Sequence, residues 1–106
     1  MMIVSSQHHI DWSIVEEKME SLAGAEYVEI PCWYIGEVNG TEMAIQSDKH
    51  HTMAAARELG IEIRYIMMDE PEGLSGTEAL ESHYNDGDWY DVETSNPAYD
   101  EFNFIW

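Results

Sequence analysis

The sequence predicts a small α/β domain of the α+β kind, a mixed sheet with helices packed on it. Three observations carry that prediction. Apolar residues recur at helical spacing over residues 12–22 and again over 50–59. Strand-like runs cover 27–38, 41–46 and 61–68. Asn39-Gly40 separates two of those runs as a two-residue hairpin turn, because both turn positions require positive φ. The chain has 106 residues, 44% of them hydrophobic, which suits one domain with a globular core.

The elements follow in order. Residues 2–6 form a short first strand. A helix starts at Asp11 or Ser13, with Ser13 and Glu16 at capping-box spacing. Trp12, Val15, Met19 and Leu22 make its core-facing stripe, and Gly24 closes it. The strand over 27–38 is broken or bulged at Pro31. Cys32, between Ile30 and Trp33, reads as a buried and inert thiol. After the hairpin, Thr41 to Gln46 return as the partner strand, and a polar turn at 47–49 leads into the helix of 50–59. Met53, Ala56 and Leu59 face the core, Ala54 to Ala56 allow close approach to a sheet, and Gly60 suits the C′ position. Ile61, Ile63, Tyr65 and Met67 then alternate with Glu62, Arg64, Ile66 and Met68. Beyond Met68, Ser75 and Glu78 at capping-box spacing start a helix to about Tyr84. Asp86-Gly87-Asp88 is a turn, residues 89–92 a short strand, and Asn96-Pro97 a loop.

The charge restricts partners. The chain carries 22 acidic and 4 basic side chains, a formal net charge of −18. Nucleic acids are bound through Lys and Arg on phosphates, so direct nucleic-acid binding is not expected, and an acidic membrane surface is disfavoured for the same reason. Basic or DNA-binding proteins are the favoured partners, through mimicry of DNA's own charge; simple solubility or adaptation to high salt accounts for the charge equally. A single cysteine forms no internal disulfide, and no leader or transmembrane stretch is evident, so a cytoplasmic protein is the expectation.

Donors and positive charge concentrate in one place, the turn and helix start Asp48-Lys49-His50-His51-Thr52. A helix start aims free N–H groups and a positive dipole end at one point, where an anion binds. His50 and His51 are candidates for phosphate binding or proton transfer. Asp48 is a candidate general base or metal ligand, or simply the N-cap. His8 and His9 approach the same site if the first strand lies beside it, and four histidines with Asp48 would then suit a transition metal, although the spacing matches no metal motif. His83 reads as a surface residue.

The order Val28-Glu29-Ile30-Pro31-Cys32-Trp33-Tyr34-Ile35, then Asn39-Gly40, then Met43 through Ile61 resembles the ParB/sulfiredoxin-like superfamily, as a small stand-alone ParB-like domain. That family carries an Asp-Gly-His-His-Arg turn followed by Ala-Ala-Lys-x-Leu-Gly; this chain has Asp48-Lys49-His50-His51-Thr52 and Ala55-Ala56-Arg57-Glu58-Leu59-Gly60. The resemblance covers residues 1–68. Relatives include CTP-binding partition proteins, ATP-using sulfinic-acid reductases, a free-serine kinase and domains described as nucleases. It implies nucleotide or phosphate binding by Asp48, Lys49, His50, His51 and Thr52, with ATP or another nucleotide and Mg²⁺ as cofactor. It also implies weak phosphohydrolase or nuclease chemistry, with His50, His51 and Asp48 as its residues. Lys49 stands where the family has Gly, and Thr52 where an Arg follows the histidines. The turn holds no cysteine, which disfavours a reductase, and no helix-turn-helix module follows, which disfavours partition.

Residues 69–106 form an acidic, aromatic extension expected to pack on the same domain. Half of the acidic residues and none of the basic ones lie there. Trp89, Tyr90, Phe102, Phe104 and Trp106 pack as extra core or anchor an interface. Alternatively the carboxylates copy phosphate spacing, making the protein a non-catalytic acidic inhibitor of a DNA-handling protein, such as a phage or plasmid counter-defence protein. On that reading Asp86, Asp88, Asp91, Asp100 and Glu101 contact the partner.

Overall fold

Helices α1 (Trp12–Leu22) and α2 (His50–Leu59) form where the apolar spacing places them. The computed structural model describes residues 1–98. Strands β1 (Met2–Ser5), β2 (Tyr27–Val38), β3 (Thr41–Gln46) and β4 (Glu62–Asp69) come from the apolar runs, and the chain adds helix α3 (Gly76–Ser82) and a two-residue strand β5 (Tyr90–Asp91). Together they make an α+β fold, a five-stranded mixed sheet with three helices, in the order β4-β2-β3-β1-β5. β2 and β3 are the antiparallel hairpin, β1 runs parallel to β3, β4 runs parallel to β2, and β5 pairs antiparallel with β1.

The sheet is covered on both faces. Ile3, Val28, Ile30, Cys32 and Ala44 pack with Met53 and Ala56 of α2 on one side, and α1 packs on α2. Val4, Ile35, Met43 and Ile45 pack with Ala79 and Leu80 of α3 and with Trp89 on the other. The extension therefore supplies core. Trp89, Val92 and Ala98 are each at most 2% exposed. Asp100 and Glu101, with Tyr99, Phe102, Phe104 and Trp106, lie outside the described residues. Among the described residues no helix is long and apolar enough to cross a membrane.

Four local expectations change. β2 runs unbroken through Pro31. Pro31 has no N–H to give; it stands opposite Ile66 of β4 and just past the end of β3, where Gln46 faces Cys32. Its carbonyl instead accepts the Ser47 N–H and O–H, at 3.0 and 3.1 Å. The irregularity falls later, between Tyr34 and Gly36, where Gly36 takes φ +81°. One extra residue there brings both Ile35 and Val38 to the α3 face. The α1 cap is Asp11, whose Oδ1 accepts both the N–H and the O–H of Ser13. These bonds hold the Asp11 carboxyl below the usual carboxylate range. Trp12 leaves the core stripe altogether, at 57% exposed. α3 starts after Ser75, as expected, but the Ser75 side chain makes no capping bond and the helix stops at Ser82.

Candidate functional site

Because β1 and β3 are parallel, their carboxyl ends, Ser5 and Gln46, arrive at the same end of the sheet. Ligands of open sheets bind outside such ends. The turn into α2 is built there. Gln46, buried, donates from Nε2 to the Asp48 carbonyl at 3.2 Å. Asp48 Oδ1 accepts the Lys49 N–H at 2.7 Å. Lys49 takes φ +64° and ψ 35°, the left-handed conformation that glycine adopts most readily.

His50, the first residue of α2, lies inward, and its Nε2 is 2.7 Å from Ser5 Oγ. That hydroxyl also accepts the Gln7 N–H, at 3.0 Å. It keeps its proton and one lone pair, so it donates to Nε2 of a ring protonated at Nδ1 or accepts from Nε2 of the other tautomer. Burial pushes the His50 pKa below its ordinary value; Asp48 and Asp86 act the other way. His51 turns to the opposite side, where its Nε2 accepts the Asp11 N–H at 3.1 Å and ties α2 to the start of α1. Asp48 and Lys49 are exposed, and Thr52 is half-buried.

The loop after β1 brings the other histidines. Asp86 accepts the backbone N–H of His8 at 2.6 Å and of His9 at 3.2 Å. These bonds hold its carboxyl below the usual range. The His8 ring donates from Nε2 to the Asp88 carbonyl, at 2.6 Å. His83 is not a surface residue. It follows α3, stacks on Trp33 with ring centroids 4.3 Å apart, and meets the buried Glu70 carboxylate at 2.8 Å. Burial raises the Glu70 pKa, but the His83 bond and the N–H groups of Leu74 and Glu72 outweigh it and leave the pKa below the usual value. His50 and His83 therefore meet at this end of the sheet.

Between them is a cleft of about 180 Å³, lined by Ser5, Gln46, His50, His83, Asn85 and Trp89 among others. The Trp89 indole Nε1 is the one buried side-chain polar atom among the described residues without a hydrogen-bond partner. A second groove of about 300 Å³ shares Gln46 and His50 with the cleft and continues past Trp12, Arg57 and Tyr90. Arg57 donates to the Val92 carbonyl, which fastens the extension to α2.

The expected residues thus divide. His50 lines the cleft with Asp48 and Lys49 at its turn, while His51 serves the α1–α2 joint. Asp86 holds the β1–α1 loop, and Asp91 Oδ1 accepts the Glu93 N–H at 2.8 Å, so both have internal duties; Asp88 is exposed. Cys32 is buried, and burial pushes its thiol up to about 12, which leaves it protonated. Ser5, Gln46, Glu70 and Trp89 were not singled out as site residues from sequence. For Ser5 and Gln46 a signal exists, a polar residue that ends a short strand directly after an apolar run. For Glu70 and Trp89 it does not, since their positions depend on how the extension docks. Among the described residues no group of three or more His, Cys, Asp or Glu side chains is arranged to hold a metal ion.

The histidine makes stability pH-dependent. The unfolded chain protonates its histidines near pH 6.5, whereas folded His50 takes up its proton only at lower pH. Between those values the unfolded state binds more protons, so this contribution is fully present above about pH 6.5 and is lost as pH falls through the folded value. The urea midpoint is expected to drop between pH 7.5 and 5.5, and His50→Gln to drop less. Equal slopes in both proteins would remove His50 as the cause.

No protein-family model matches the chain, and it matches no curated protein and no solved structure.

Proposed function

We propose that the cleft and its adjoining groove bind a phosphate-bearing small molecule, with a nucleotide as the class, in a ParB/sulfiredoxin-like domain. The observation that carries this reading is the meeting of His50, the first residue of α2, with Trp89, whose Nε1 is buried and unpartnered, in the lining of one cleft at the ends of two parallel strands, with Lys49 exposed on the adjoining turn. Free N–H groups and the helix dipole favour an anion at that point. The cleft suits a phosphate group in size. The groove beyond it offers Arg57 and the exposed Trp12, a cation and an aromatic face, for the rest of a nucleotide. The order hairpin, left-handed turn residue, helix, Gly60 and parallel strand supports the family reading. With no preformed metal cluster among the described residues, Mg²⁺ would arrive with the phosphates, and Asp48 is the turn's own carboxylate. Weak phosphohydrolase or nuclease chemistry fits the same site.

Calorimetry with ATP, CTP and GTP tests this. Lys49→Ala removes a charge-assisted hydrogen bond of ~1.5–3 kcal/mol, a loss of about 10- to 150-fold in affinity. Lys49→Gly is expected to lose affinity equally yet to stabilise the fold by ~0.5–1 kcal/mol, because it relieves the left-handed backbone. Unchanged affinity in both variants would take the turn out of the site.

The net charge of −18 favours a second reading, an acidic protein that binds a basic or DNA-binding partner. Asp86 and Asp88 are exposed carboxylates open to such a partner. Partner capture that weakens steeply with salt supports it.

A further inference from the structure

The nucleotide reading leaves Ser5 without a role, although Ser5 is 2% exposed and lines the cleft. We propose that Ser5 is a nucleophile, with His50 as its general base, and that the pair transfers a phosphoryl group from a phosphate ester or anhydride bound in the cleft. This rests on the phosphate-binding reading above.

Four features of the geometry support it. Ser5 Oγ and His50 Nε2 are 2.7 Å apart, the contact that a nucleophile–base pair requires. The Gln7 N–H already occupies one lone pair of that hydroxyl, at 3.0 Å, which holds Oγ in place beside the histidine. The base is itself the first residue of α2, so attack by Ser5 would take place beside the helix N-terminus, where negative charge developing on the transferred group is stabilised. The Tyr90 phenol, half-buried nearby, stays neutral: burial raises its pKa, with the Ser5 hydroxyl and Arg57 acting the other way. Its O–H is donated to the Gln7 carbonyl at 2.7 Å, which holds the residue whose N–H orients Ser5. Gln7 and Tyr90 are positioning residues on this account.

The chemistry balances with water as the only co-reactant. Ser5 Oγ attacks phosphorus as its proton passes to His50 Nε2, and the bond to the leaving oxygen breaks. The imidazolium returns that proton to the leaving group. Water then attacks the Ser5 phosphate ester and gives its proton to His50. The Oγ–phosphorus bond breaks, Ser5 recovers the proton, and inorganic phosphate leaves. No group is oxidised or reduced.

The test uses the full chain with ATP and Mg²⁺, and p-nitrophenyl phosphate in parallel. Phosphate release is expected, with a phosphoryl group on Ser5 in acid-quenched wild-type protein, located by peptide mass spectrometry. That measurement needs no variant and so does not depend on how a substitution folds. Ser5→Ala is expected to lose the adduct and to slow release more than about 100-fold, and His50→Gln to slow it by a similar factor, in line with loss of a general base. Amide-proton NMR spectra establish that each variant is folded. Binding of ATP without any Ser5 adduct or turnover would overturn the nucleophile and leave the binding reading standing. Failure to bind ATP, CTP, GTP or inorganic phosphate would overturn both. Turnover by folded Ser5→Ala at the wild-type rate, or acylation of Ser5 by p-nitrophenyl acetate with no reaction on phosphate esters, would overturn the phosphoryl assignment.

Discussion

Truncation after Met68 is expected to leave a chain that does not fold. By composition the acidic extension looks detachable, but it supplies Leu80, Trp89 and Val92, each at most 2% exposed, and the strand that covers the outer edge of β1. Burying a large apolar side chain contributes ~1.5–3 kcal/mol, so these three account for about 5–9 kcal/mol. The whole stability of a small domain is only about 5–15 kcal/mol. Loss of far-ultraviolet helix signal and of amide-proton dispersion in the 1–68 fragment is the expected result. A cooperatively melting fragment would show that the first 68 residues carry a sufficient core of their own.

Trp89 concentrates that dependence in one side chain and separates stability from binding. It is 1% exposed, the largest of the fully buried side chains. Trp89→Ala is expected to cost ~3–5 kcal/mol, from lost transfer energy and the cavity left behind. Trp89→Phe keeps most of the apolar volume and removes only the ring edge that bears the unpartnered N–H, so its cost is expected to stay below about 1.5 kcal/mol. If a bound oxygen accepts from Nε1, the Phe variant nevertheless loses about 5- to 10-fold in affinity, the equivalent of a ~1 kcal/mol hydrogen bond. Denaturant melts and calorimetry on the two variants check both halves. A Phe variant that binds ATP as tightly as the parent would exclude Trp89 from ligand contact.

What was legible in the chain was local. Asn39-Gly40 dictates the hairpin because its positive φ angles need no tertiary help. Gly60 closes α2 in the left-handed conformation for the same reason. The errors share a different cause. Pro31 looks like a break because the rule concerns a missing N–H, and only the pairing shows that β4 runs beside it and that β3 ends there. His83 looks solvent-exposed because its neighbours are polar, but Glu70 and Trp33 reach it from distant positions. Trp12 has the spacing of a core residue, yet the stripe it begins is covered only from Val15 onward. The candidate site follows the same division. The helix start at Asp48 to Thr52 is a local signal, whereas the Ser5–His50 contact needs β1 beside β3, a parallel pairing without a short-range signature.

The placement of β1 has a consequence for how the protein is made. β1 lies inside the sheet, joined on one side to β3 and on the other to β5, Val4 sitting opposite both Ile45 and Asp91. At about 5–20 residues per second, the strand waits roughly 5–15 s for its last partner to be synthesised. Throughout that interval Ile3 and Val4 belong to an incomplete sheet with an open side. Contacts between residues this far apart in sequence also close slowly, since the loop entropy is lost before the contact forms. The nascent protein is therefore exposed to misassociation until β5 has been made, and a chaperone that shields apolar strands would act on it in that interval.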